Sequence, residues 1–210
     1  MIVYVESNFV LELAFLQEEH QSASAILDYA ESRRIHLRMP AYCGGEPYER
    51  MVRRARDRKA LQDRLAQEIR ELSRSQPYVD IENLSQALTT VLAKSADEEK
   101  GRLGETLSRI IRATQVIALD GPILGNSLNL QFSLGLSPQD AIVFASINAN
   151  LEVSPTSEEK LFITRNSKDF LTPTIEDILN HCNCKLLTRF SDGLGYIQSI
   201  INPSTSGLAP

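Results

Sequence analysis

Cysteine is scarce in this chain: Cys43, Cys182 and Cys184 are the three among 210 residues. Three thiols cannot build a disulfide framework, which points to a reducing, cytoplasmic setting. Long apolar runs are missing too. The run Ala141–Ala145 falls far short of a membrane span, and the opening MIVYVESN carries neither a basic leader nor a cleavage site. The expectation is a soluble protein with no membrane partner. Glycine-rich phosphate loops of the P-loop or dinucleotide type are absent, as are HExxH and GxSxG. Kinase, dehydrogenase, zinc-protease and serine-hydrolase chemistries lose their support accordingly. His181-Cys182-Asn183-Cys184 looks like half a zinc site, but no second Cys or His pair completes it. It reads as a helix end with semi-buried thiols, and His20 and His36 stand alone. Positive charge is also in deficit, with 22 Lys plus Arg against 27 Asp plus Glu, a net charge of −5 and a pI near 5.3. That excludes a general nucleic-acid coat protein but not an enzyme with a local basic patch.

What is present is ordinary globular material, 42% hydrophobic and 23% charged, long enough to bury a sizeable core. Ile2-Val3-Tyr4-Val5 predicts a buried strand. Glu6 follows, and Ser7 is placed to cap a helix carrying Phe9, Val10, Leu13 and Leu16. A second amphipathic helix is expected over about 20–33, and a second strand from Ile35 to Met39, ended by Pro40. This strand–helix–strand order predicts parallel pairing. From Glu46 to about Ser75 the pattern is helical, with Pro47 in the first turn. Helices at about 84–95, capped by Asn83 or Ser85, and at 103–118 should follow; Asp120-Gly121-Pro122 then breaks the chain before a helix to about Phe132. Ser137-Pro138-Gln139-Asp140 has the form of an N-cap, and AIVFASI after it should be a buried helix. Leu161–Thr164 predicts a third strand, Thr172-Pro173 a helix start, Lys185–Leu187 a fourth strand and Leu194–Ile201 a last helix. The expected class is α/β, a small parallel sheet flanked by helices with an all-helical insertion at about 50–118. One domain should cover 1–201, with a flexible tail at 202–210.

Ligands of an open parallel sheet bind at the carboxyl ends of its strands. Glu6 follows the first strand, Glu46 follows the second after a short loop, and Asp140 opens the buried helix before the third. Asn166 and Asp169 follow that third strand in Thr164-Arg165-Asn166-Ser167-Lys168-Asp169-Phe170. Clustered carboxylates repel one another and are tolerated mainly when a divalent cation neutralises them. Oxygen donors without Cys or His point to Mg2+ or Mn2+ rather than zinc.

Four segments carry a family resemblance: VYVESNFVLELA at 3–14, LRMPAYCGGEPYE at 37–49, LSPQDAIVFASI at 136–147 and FITRNSKDF at 162–170. In this order they resemble the PIN-domain family, which includes VapC-type toxin ribonucleases. The resemblance covers about 1–50 and 120–190. It implies an acidic quartet of Glu6, Glu46, Asp140 and Asp169, with Asn166 beside it, serving catalysis and metal binding together. It further implies metal-dependent endoribonuclease activity on RNA phosphodiesters, with an antitoxin protein and a homodimer as partnerships to test. The chain departs from the family in carrying Glu6 where Asp is usual, one carbon–carbon bond of about 1.5 Å longer in reach. Gly44-Gly45 before Glu46 is a second departure. The alternative expectation is therefore a catalytically weakened PIN-fold module that binds RNA or a protein. A receiver-type domain is a third, but paired acids after the first strand and a Lys after the last are not evident.

Between Arg50 and Arg74 nine basic residues face four acidic ones, a local +5. Arg53, Arg54, Arg56, Arg58 and Lys59 are its densest part. One reading is a solvated helix with pairs such as Lys59–Asp63. The other is a phosphate contact through Arg53, Arg54, Arg56 and Arg58, with Asn166, that guides RNA to the acidic crevice.

Overall fold

The computed structural model describes residues 1–202, with only the backbone of 79–85; the expected tail beyond residue 202 lies outside the described residues. Five strands form one parallel sheet: β1 (Ile2–Val5), β2 (His36–Pro40), β3 (Thr114–Ile117), β4 (Lys160–Ile163) and β5 (Cys184–Leu187). Their order across the sheet is β3-β2-β1-β4-β5. Both β1 and β4 are buried at every residue, as continuous apolar strands of a covered parallel sheet must be. The chain runs outward from β1 through β2 to β3, then returns to the other side of β1 as β4. The order thus reverses between β1 and β4, where doubly wound sheets open their crevice.

The helices are α1 (Ser7–Phe15), α2 (His20–Glu31), α3 (Glu46–Leu72), α4 (Glu82–Ala113), α5 (Gly121–Leu134), α6 (Pro138–Glu152), α7 (Ser167–Phe170), α8 (Pro173–His181) and α9 (Phe190–Ile201). Alternate strand residues face opposite sides of the sheet. On one side, the Tyr4 hydroxyl donates to Asn150 Oδ1 of α6 at 2.9 Å, and Arg38 Nη1 donates to the same oxygen at 2.6 Å. On the other, Gly193 of α9 sits so close to Ile163 that a Cβ there would lie 2.4 Å from its Cδ1. Lys160 is 1% exposed and has no acidic partner among the described residues; its ammonium donates to the carbonyls of Pro155 and Cys182 at 2.7 and 3.0 Å. It ties the start of β4 to the end of α8, and Asn183 takes a φ of 53° at the turn into β5. The His-Cys-Asn-Cys segment is thus a helix end, with Cys184 buried and Cys182 partly so.

Two expectations are corrected. The helices predicted at about 84–95 and 103–118 are one helix, α4, whose proposed caps Asn83 and Ser85 fall among the side chains outside the description. Residues 114–117 are not its last turn but edge strand β3, paired in parallel with β2 from Leu37↔Thr114 to Pro40↔Ile117. Val116 and Ile117 prolong the apolar pattern of Ile110 and Ile111, so periodicity alone could not separate strand from helix. Asp120 then caps α5, accepting from the Ile123 N–H at 2.9 Å. The α5 helix ends on Gly135 at φ 67°, a left-handed position suited to glycine.

Helices α3 and α4 run antiparallel as a hairpin. Glu99, 6% exposed, takes a bidentate pair from Arg58 at 2.9 and 2.6 Å and a third contact from Arg54 at 3.1 Å. Arg54 also lies over the Phe15 ring at 4.6 Å, joining the hairpin to α1. Glu99→Ala leaves two guanidiniums without their anion beside apolar surface. The expected loss is about 2 kcal/mol, read as a lower urea midpoint at unchanged slope. An unaltered midpoint would show that the pair does not hold the hairpin.

Candidate active site

Glu6 leaves β1 in extended conformation and, rather than Ser7, caps α1. Its Oε2 accepts from the Asn8 backbone N–H at 3.0 Å, and its Oε1 from Asn8 Nδ2 at 2.6 Å. Oε1 also accepts from Thr164 Oγ1 at 3.0 Å. Thr164 is in place because β1 and β4 pair Val5 with Ile163, so the next residue of each strand meets its counterpart. Thr164 in turn accepts from the Asn166 N–H at 2.9 Å, and Asn166 Nδ2 donates to Asp140 Oδ1 at 3.0 Å. The other oxygen of Asp140 accepts from Ser137 Oγ at 2.5 Å, while Ser137 caps α6 as its sequence predicted. A continuous hydrogen-bonded line therefore runs Glu6–Thr164–Asn166–Asp140–Ser137 along the carboxyl ends of β1 and β4.

Glu46 stands at the first residue of α3, reached through a 3-10 turn over Ala41–Gly44 and a helical Gly45. Neither Gly44 nor Gly45 adopts a positive φ, so the entry to α3 is a continuous helical path. Glu46, Glu49, Arg53, Tyr42, Asp140 and Asn166 all line one cleft of about 610 Å3. Glu6 is not among the residues lining it and is 6% exposed. Burial lifts the proton affinity of Glu6 above the ordinary carboxylate range, and the charge of Glu46 adds to this; the bonds from Asn8 and Thr164 pull the other way. Burial also raises the phenol of Tyr42, with Glu49 and Glu46 contributing, and drives the thiol of Cys43 well up, Glu6 adding to it.

The four predicted acids are distributed unequally. Glu46 and Asp140 share the cleft, and Glu6 joins Asp140 through Thr164 and Asn166. Asp169 sits on α7, partly buried, makes no hydrogen bond or ion pair among the described residues, and does not line the cleft. Asn166, three residues earlier, lines it. Among the described residues no three His, Cys, Asp or Glu side chains form a ready metal-binding group. Of the predicted nucleic-acid contacts, Arg53 lines the cleft and Arg56 is exposed, while Arg54 and Arg58 are turned to Glu99. The expected Lys59–Asp63 pair is present at 3.0 Å. Sequence reasoning did not single out Asn8, Thr164 or Tyr42. Thr164 carried a signal, a polar residue closing an apolar strand directly beside the residue after β1. Arg165 of the same segment pairs with buried Glu12 of α1 at 2.7 Å.

A parallel sheet of this order, with acids gathered at its topological switch point, defines a class of α/β proteins that act at the carboxyl edge. The sequence matches the PIN domain over residues 3–170, and the chain belongs to the PIN-domain family. Among curated proteins none matches. The crystal structure of VapBC2 from Rickettsia felis bound to a DNA fragment from their promoter is a distant likeness, at 12% identity and a TM-score of 0.42, covering 89% of this chain and 98% of that one. A likeness that weak carries no argument about this chain. Among the described residues no helix is long and apolar enough to cross a membrane.

The raised proton affinity of Glu6 sets a pH dependence. The folded chain holds this proton to higher pH than the unfolded chain does, whose glutamates titrate near about 4.3. The stabilisation from Glu6 is therefore complete below that value and is lost as pH rises through its folded pKa. In metal-free solution, unfolding midpoints should fall over that window, and Glu6→Gln should remove this part of the slope. Identical slopes for the parent and the variant would contradict the assignment.

Proposed function

We propose that the chain is a divalent-metal-dependent endoribonuclease of the PIN type, acting in the cytoplasm on RNA phosphodiesters. The observation that carries this reading is the hydrogen-bonded line from Glu6 to Asp140, set beside Glu46 at the β1/β4 switch point. The donor chemistry fits Mg2+ or Mn2+, being all oxygen with no His and with the nearby Cys43 thiol kept protonated by burial. Buried Glu6 with its raised proton affinity is the kind of acid that a nearby cation would relieve. Glu46 and Asp140 would hold the ion at the cleft, with the Asn166 side chain and Glu6 supporting them. When bound, such an ion supplies Lewis acidity, activating a water and stabilising the leaving oxygen of an in-line displacement. The chain's own residues do the rest. Thr164 and Asn166 fix the carboxylates, and Arg53 offers a guanidinium at the cleft for the phosphate. Asp169, which the resemblance placed in the quartet, sits on α7 directly after Asn166 and remains the proposed fourth acid. By the same resemblance the proposal extends to the toxin of a toxin–antitoxin pair, with an antitoxin protein as partner and a homodimer as its assembly.

A second reading, the catalytically weakened module, is favoured by one observation. Glu6 stands where the family carries Asp, and the oxygens of Glu6 and Asp140 are already engaged by Asn8, Thr164, Ser137 and Asn166. Manganese separates the two. For the nuclease, Mn2+ binding should accompany cleavage of single-stranded RNA, and Asp140→Asn should lower cleavage on the order of 100-fold, the scale set by a misplaced catalytic group. A chain that neither binds Mn2+ nor cleaves, yet retains an RNA or protein ligand, is the module.

A further inference from the structure

Beyond the cleft, α3 continues for five turns with arginines on the same side as Glu46. An α-helix turns once every 3.6 residues. Positions 46, 50, 53, 57, 60, 64, 68 and 71 therefore form one stripe, read as Glu46, Arg50, Arg53, Asp57, Ala60, Arg64, Glu68 and Glu71, with Arg56 flanking it. Arg50, Arg53, Arg56 and Arg64 are all exposed, and none makes a hydrogen bond or ion pair among the described residues. Their neighbours on other faces are engaged: Arg54 and Arg58 with Glu99, Lys59 with Asp63. Between residues 50 and 64 this face carries four guanidiniums against Asp57 on the stripe and Asp63 beside it, a local positive excess in a chain with a net charge of −5. The stripe begins inside the cleft, because Glu46 and Arg53 both line it. From residue 46 to residue 64 it extends about 27 Å at 1.5 Å per residue.

We infer that this face of α3 is a rail for the phosphate backbone of a single RNA strand leaving the acidic cleft. Glu46, Glu49 and Asp140 repel phosphates unless a cation neutralises them, so affinity must come from outside the cleft. The rail supplies it over residues 50–64, with Asp57 as the one acid of its stripe in that span and Glu68 and Glu71 closing the stripe at its far end. A single line of cations one helix wide matches one strand, whereas a duplex presents two phosphate ridges. The set differs from the run predicted from sequence: Arg54 and Arg58 belong to the fold, while Arg50 and Arg64 join Arg53 and Arg56. This inference takes RNA as the ligand from the proposed function, but its test needs no cleavage.

The test measures binding of a fluorescent RNA dodecamer and of a dinucleotide to the full chain carrying Asp140→Asn, in chelator, across a salt series. Each phosphate neutralised on a single strand contributes roughly 0.7 to the slope of log affinity against log salt. Replacing Arg50, Arg53, Arg56 and Arg64 with Gln should lower the dodecamer slope by about 2.8 and abolish its advantage over the dinucleotide. A control replacing Lys59, Lys94, Lys100 and Arg112 with Gln removes the same charge from other faces and should lower the slope by less than about 1. Equal losses in both sets, an unchanged slope, or no dodecamer binding by the Asp140→Asn chain would each overturn the rail; the last would leave α3 as a face for an acidic protein. Circular dichroism of each variant confirms that it is folded. A wild-type chain that fails to cleave while the rail set loses its slope would end the nuclease reading and leave the rail standing. Cleavage with an unchanged slope would do the reverse.

Discussion

A buried carboxylate at the end of the central strand is the constraint around which this structure is arranged. Moving an ionised carboxylate out of water costs several kcal/mol even after relaxation. Glu6 is nevertheless 6% exposed, and three hydrogen bonds from Asn8 and Thr164 offset part of that cost. The Thr164 bond requires β4 to lie beside β1 in the observed register, and a slip of one residue would turn Thr164 to the other face. The same threonine then receives Asn166, and Asn166 holds Asp140. The placing of Asn166 and Asp140 at the cleft thus follows from one strand pairing.

The extra methylene of Glu6 bears on this arrangement. Its carboxylate caps α1 and touches β4 at once, two tasks that lie on opposite sides of the switch point. The backbone of Glu6 is in the extended region, which any residue adopts, so the length is accommodated without backbone strain. The residue therefore couples the start of α1 to the end of β4, and with them the two halves of the sheet.

The α3–α4 hairpin obeys different physics. It stands on α1 through Arg54 over Phe15 and through Arg102 donating to the Ala14 carbonyl at 3.2 Å. Among the described residues its two helices are joined by Glu99 with Arg54 and Arg58 and by few large buried apolar side chains. A two-helix unit with so little core depends on charge pairing, and that dependence sorts its arginines into those that hold the hairpin and those that face solvent. Glu46 lies on the same helix as the solvent-facing set. One wall of the cleft and the basic face are thus parts of one helix.

Much of this was legible in the sequence. Apolar runs bounded by polar residues marked four of the five strands, and Ser137-Pro138-Gln139-Asp140 marked the start of α6 through local capping chemistry alone. The order of acids at strand ends, with four motif segments, identified the PIN fold and put forward Glu6, Glu46, Asp140 and Asp169 as its candidate acids. What sequence could not decide was anything set by partners far along the chain. β3 is a strand because β2 offers it an edge, not because TQVI differs from a helical continuation. Asn166 donates to Asp140 because the turn after β4 positions its side chain, and spacing does not encode that turn. Arg54 and Arg58 are structural because Glu99 lies 41 to 45 residues away in sequence and against them in space. Local propensity and periodicity act within one or two turns, so the sequence by itself determined elements and their order. Strand neighbours, hydrogen-bond partners and the pairing of charges depend on long-range packing, and only the tertiary structure decided them.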